Sequence, residues 1–202
     1  MPTVSRPYDH GAFGAYLYGG FTGILPAALG ANSEIFQFRW TDATRVCVIN
    51  EIFLSAAVST TFFAAGVPVQ IDLVKATGWS AAGSGGTRIT PAALLKRRTS
   101  MGSTLVAASD IGIATTGALT VGTKTLETVS LATLLAAGPI TASLNGTIFP
   151  PGTILWRAEV ANNQHPLVLV ANEGFVIRSV AVPATGTWTA AISVDWAEGT
   201  GY

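Results

Sequence analysis

Charge is what this chain has least of. Eleven basic and eleven acidic residues among 202 make it 11% charged, against roughly 25% in a typical soluble domain. A compact monomer of this size has about 9,000 Å² of surface, so each charge must serve roughly 400 Å². That is thin cover for a surface facing water, and it points to burial of part of the exterior against neighbours. The formal net charge is zero, which removes the broad electrostatic footprint that nucleic acid or an acidic membrane would require. Neither is expected as a direct partner. The basic residues are eight Arg and three Lys, a bias that interfaces share.

Cysteine and histidine are almost as scarce. Cys47 is the single cysteine, so no internal disulfide is possible; the chain suits a reducing compartment, and the thiol reads as a small buried hydrophobe. The two histidines, His10 and His165, are too few and too far apart for a metal-ligand pair, and no Gly-x-Ser-x-Gly elbow offers a nucleophile. GSGGTR, residues 83–88, lacks the Lys-Ser or Lys-Thr ending of a phosphate loop and reads as a flexible turn. Asp195 and Glu198, three residues apart on an extended strand, fall on opposite faces and cannot form a glycosidase pair. No catalytic, cofactor-binding or metal-binding residue is therefore expected, and the chain reads as a non-enzyme.

What is present is alternation. TWTAAISVDWAE, residues 187–198, places Trp188, Ala190, Ile192, Val194 and Trp196 on one side of an extended chain, as a period of two dictates. Thr189, Ala191, Ser193, Asp195 and Ala197 form the other side, small and nearly uncharged where lysines and glutamates would be usual. SEIFQFRW (33–40), RVCVINEIFL (45–54), VPVQIDLVK (67–75), TILWRAEV (153–160), PLVLV (166–170) and FVIRSVAV (175–182) are further strands, separated by Gly, Pro and Asn. Residues 45–54 are apolar on both faces and read as a central strand, whereas Pro68 suggests an edge position for 67–75. About eight to ten short strands at this spacing predict an all-β antiparallel sandwich, jelly-roll-like, over residues 34–202.

Two segments depart from the strand pattern. Residues 1–33 read as an extended N-terminal arm: the stretch from Gly11 to Ser33 carries no charge but holds six glycines and a proline, poor material for a lone helix in lipid. Tyr16, Tyr18 and Phe21 are expected to lie on a partner. Residues 76–104 read as a loop insertion containing one short helix, capped by Thr90, begun by Pro91 and ended by Lys96, Arg97 and Arg98 where the dipole favours cations. Arg97 and Arg98 are candidate contacts to a partner's phosphate or carboxylate. Trp79, between Gly78 and Ser80 in the same loop, is a candidate for stacking on a sugar, with the alternative of a loop anchor tucked onto its own subunit or a neighbour. Trp40, Trp156, Trp188 and Trp196 share faces with aliphatic residues and belong to a core or an interface.

TGWSAAGSGGTRIT, LLKRRTSMGSTLV, DIGIATTGALTVGTKTLE and PLVLVANEGFVIRSVAVPATGTWTAAISVDWAE together resemble segments of small virion structural proteins of tailed bacteriophages, over roughly residues 34–202. The resemblance implies a virion subunit, assembled in the bacterial host cytoplasm, with a jelly-roll-like sandwich repeated on a capsid or tail. Homo-oligomers, trimers in particular, and contacts with the major capsid protein or other virion proteins follow from it. Head decoration or cementing is the leading expectation. The alternatives are a tail or connector subunit and a host-glycan binding module.

Overall fold

Period-two alternation makes each long strand two-faced, and the chain satisfies its apolar faces by stacking two antiparallel sheets. The computed structural model describes residues 14–60, 63, 68–136, 146–159 and 165–200. The first sheet holds β1 (Gly14–Phe21), β2 (Leu25–Pro26), β4 (Val46–Val58), β7 (Leu95–Lys96), β11 (Thr147–Phe149), β12 (Ile154–Arg157), β13 (Leu167–Leu169) and β15 (Thr187–Gly199). Its order is β11-β4-β15-β1-β7, with β12 and β13 also on β4 and β2 on β15. The second sheet holds β3 (Ser33–Trp40), β5 (Val69–Ala81), β6 (Thr87–Arg88), β8 (Ile111–Ile113), β9 (Thr123–Leu126), β10 (Ala132–Ala136) and β14 (Glu173–Ala181). It runs β10-β5-β14-β3-β8-β6, with β9 on β5. The protein is an all-β sandwich, as the alternation predicts.

An aromatic chain spans the space between the sheets. Tyr16 stacks on Trp196 at 5.8 Å, Phe38 meets Trp196 edge-on at 5.3 Å, and Phe175 stacks on Phe38 at 5.2 Å and on Phe36 at 6.1 Å. Tyr18 closes the chain by stacking on Phe36 at 5.6 Å. Offset and edge-on pairs of this kind add about 0.5–1.5 kcal/mol each beyond their buried area. Trp40 and Trp188 are also fully buried, and Cys47 is the buried hydrophobe expected of it.

Four expectations need correction. Residues 14–33 are not an arm: β1 pairs with β15 from Gly14↔Glu198 to Phe21↔Ala191, and Tyr16, Tyr18, Leu25 and Ala27 are core. Its glycines make this possible, since a β-carbon at Gly14 or Gly20 would meet the hydroxyl of Tyr16 or Tyr18, so each ring covers a glycine. Pro68 does not mark an edge strand: β5 starts one residue later and lies between β10 and β14, so the missing N–H falls outside the ladder. The loop expected from residue 76 begins later, because β5 continues to Ala81.

The short helix is only a 3-10 turn, Pro91–Ala93, with no side-chain cap at Thr90. Lys96 lies in β7 opposite Tyr16 and not in a helical last turn. A helix this short cannot repay its nucleation, whereas two residues of strand satisfy their backbone on the edge of β1.

Candidate interaction surface

The two sheets present very different outer faces. On the second sheet, Val74, Ala76 and Val176 point away from the main core, and the chain covers them itself. Trp79 lies over them, fully buried, with its indole N–H donating to the Ala81 carbonyl at 3.0 Å. Gly174 provides the flat floor, because a β-carbon there would strike the Trp79 ring. Above the indole sits Lys124 Nζ, 4.5 Å from the ring centre and 2.9 Å from Glu34 Oε2. Burial lowers the Lys124 pKa, and only the pull of Glu34 works against it. Of the readings open for Trp79, the structure takes the anchor on its own subunit: the indole is a core residue and not a contact to a sugar or partner.

Beside this cluster the face carries a polar group built around Asp72, with the exposed Leu135 at its β10 margin. Asp72 accepts from Ser130 Oγ at 2.6 Å, Thr133 Oγ1 at 2.9 Å and Gln70 Nε2 at 3.0 Å, with Arg178 at 3.7 Å. Burial raises the Asp72 pKa, but the hydrogen bonds from Ser130, Gln70 and Thr133 and the nearby arginine outweigh it and hold the carboxyl below its ordinary value. Two further carboxylates hold the segment between β7 and β8. Asp110 accepts from Arg39 Nε at 2.9 Å, Thr41 Oγ1 at 2.7 Å and the Ala107 amide at 3.0 Å. Glu198 accepts from Thr104 Oγ1, from the Leu105 amide at 3.1 Å and from Trp196 Nε1 at 3.1 Å. Its burial raises its pKa despite those donors.

Among the described residues, none covers the first sheet's outer face in this way. Register places Phe21, Ala191 and Ser55 in one row across β1, β15 and β4, and Gly19, Ser193 and Phe53 in the next. Phe21 is 76% exposed and Ile154, opposite Phe53 on β12, is 40% exposed. Shallow hollows of about 370 and 350 Å³ flank the rows, one against Phe149 and Pro151, the other against Gly152. Where charge appears it comes in opposite pairs: Arg97 with Asp195, and Arg157 with Glu51. Asn50 Nδ2 also donates to Asp195, at 2.8 Å. Arg157 lies over the Phe53 ring at 5.8 Å.

Of the six residues expected to meet a partner, Phe21, Arg97 and Arg98 are exposed, with Arg97 in its ion pair. Tyr16 and Tyr18 are inward-facing core, and burial pushes the Tyr18 hydroxyl up to about 12. The face itself was half legible: Thr189, Ala191 and Ser193 were readable as a small neutral row, but Phe53, Ser55 and Ala57 join them only through the β4–β15 pairing.

A second cleft, of about 590 Å³, is lined by Leu131, Ile154, Trp156, Arg157, Glu159 and His165. Trp156 is half-buried there. Among the described residues no group of three or more His, Cys, Asp or Glu side chains gathers in a way that could hold a metal ion. No helix among them is long and apolar enough to cross a membrane. Compared with protein-family models, curated proteins and solved structures, the chain gives no significant match.

Proposed function

We propose that this protein is a bacteriophage virion structural subunit, a head decoration or cement protein that binds across joints between major capsid subunits. The observation that carries the reading is the uneven way the sandwich covers itself. Apolar side chains stay uncovered on both layers: Phe21 and Ile154 outside the first sheet, and Val129, Leu131 and Leu135, exposed by 76%, 44% and 66%, at the margin of the second. A subunit that bridges a joint needs two contact regions, and exposed apolar patches of this kind are how such regions present themselves. The buried carboxylates Asp72, Asp110 and Glu198 all hold strands or loops in place, which supports a structural over a catalytic role.

Heating particles with and without the protein tests the reading. Particles carrying it should keep their genome to a higher temperature, and Leu135→Ser together with Val129→Ser should weaken attachment while the protein stays folded. Equal heat resistance, or no copy on any particle, would refute cementing; density on the tail would move the same physics to a tail or connector subunit. The glycan reading is favoured by one observation, the polar cleft beside Trp156. Soaking with simple sugars checks it, with Trp156→Ala as the control.

A further inference from the structure

We infer that the uncovered face of the first sheet is a homodimer surface, on which a second copy of this chain stacks the same face about a two-fold axis running along β15. The inference names the occupant of one of the two contact regions just described and leaves the other, the β10 margin, for a different protein. It does not require that protein to belong to a virion.

Charge favours a second copy over an unlike partner. The four charges that border the face are already matched within the chain, Arg97 with Asp195 and Arg157 with Glu51, so no excess of one sign is left to recruit an oppositely charged surface. A face that is neutral row by row can meet itself without like-charge repulsion, and an isologous contact demands self-complementarity of this kind.

Shape points the same way. Phe21 and Ser55 stand on opposite sides of Ala191 in one row. A two-fold axis along β15, lying between the stacked sheets, exchanges those sides, so each copy's Phe21 lands over the other copy's Ser55. There it reaches the hollow lined by Ser55, Ala57, Phe149 and Pro151, whose near wall is that copy's own Phe21. Phe21, the most exposed large side chain among the described residues of the face, thus meets this hollow twice, and Ala191 faces its own counterpart. Small residues along the axis leave room for both rings.

Area is sufficient. Four strand widths of about 4.8 Å (β1, β15, β4 and the row of short strands β11, β12 and β13 along the edge of β4) and about ten residues of length at about 3.4 Å each give a flat footprint of roughly 650 Å² per copy. Two copies would cover roughly 1,300 Å², within the range of about 1,200–2,000 Å² for specific interfaces. The sandwich would then continue as a third sheet-on-sheet layer at the usual separation of about 10 Å.

Sedimentation equilibrium of the full chain over a concentration series, with Ala191→Arg, Phe21→Ser and Leu135→Ser beside it, tests the inference. The wild type should dimerise. Ala191→Arg sets two like charges against each other at the axis and should weaken the dimer by at least tenfold; Phe21→Ser should weaken it too, and Leu135→Ser should leave it unchanged. Ala191 is exposed in the single chain, so the arginine variant should keep the wild-type melting temperature extrapolated to low concentration. As a positive check, Ala191→Cys should cross-link to itself with a short bismaleimide, since the native Cys47 is fully buried. A wild type that stays monomeric at every concentration, or an Ala191→Arg protein that dimerises as well as wild type, overturns the inference. If Ala191→Arg abolishes particle attachment but not self-association, the face belongs to another protein and the inference fails while the virion reading stands. If dimers form and no particle binds, the reverse holds.

Discussion

Replacing Trp79 with alanine separates a buried anchor from an exposed ligand contact more sharply than any other single change. The indole is fully buried on Val74, Ala76 and Val176, with Gly174 beneath it and Lys124 above. Truncating a core tryptophan to alanine costs about 3–5 kcal/mol. Lys124, whose side chain is wholly buried, loses a cation–π contact worth up to about 2 kcal/mol when desolvated. The sum, about 3–7 kcal/mol, is a large share of the roughly 5–15 kcal/mol that holds a domain folded. With a urea dependence of about 3 kcal/mol per molar, the unfolding midpoint followed by far-ultraviolet circular dichroism should fall by roughly 1–2.3 M. Lys124→Met should also destabilise, because Glu34 is left buried without its cation, and the double variant should lose less than the sum of the two. A midpoint within about 0.3 M of wild type, equivalent to roughly 1 kcal/mol, would refute the packing and restore Trp79 as a surface residue.

Deleting residues 1–33 should unfold the protein and not merely detach it from a partner. Tyr16, Tyr18 and Leu25 contribute roughly 1.5–3 kcal/mol each by burial, and β15 loses its neighbour; a cooperative melt at the wild-type temperature would contradict this. Glu198 gives a pH signature of defined sign. Folding raises its pKa above the ordinary 4.5, so the folded chain holds the proton more tightly and stability falls as pH climbs from 4.5 through the folded value. Glu198→Gln should remove that fall, measurable as a flatter dependence of melting temperature on pH. Asp72 acts oppositely: its lowered pKa supplies stability that is present above 3.8 and lost on acidification, and Asp72→Asn should remove it.

How far the strands could be read depended on how strictly they alternate. SEIFQFRW became β3 residue for residue, and residues 45–54 became the central strand β4, flanked by β15 on one side and β11, β12 and β13 on the other. The tyrosines of β1 were misassigned because glycines at 14, 19 and 20 diluted an otherwise regular alternation. Gly14 and Gly20 accommodate the rings of Tyr16 and Tyr18, a reason that appears only when the rings are placed. Lys96, Arg97 and Arg98 were misassigned because cap and dipole rules describe a helix that forms, and here the edge of β1 offers the backbone a better set of partners. Trp79 looked exposed because Gly and Ser surround it, yet Gly78, at φ +58°, turns the chain so that the indole folds back over the sheet.

By itself the sequence determined the two-faced strands, the scarcity of surface charge and the neutral row along β15, since all three follow from side-chain chemistry at fixed spacing along one chain. Which faces point together, which of them the protein's own loops cover, and which is left open were decided only by tertiary pairing. Strand register sets Phe21, Ala191 and Ser55 side by side from positions 21, 191 and 55, and no local rule connects residues so far apart.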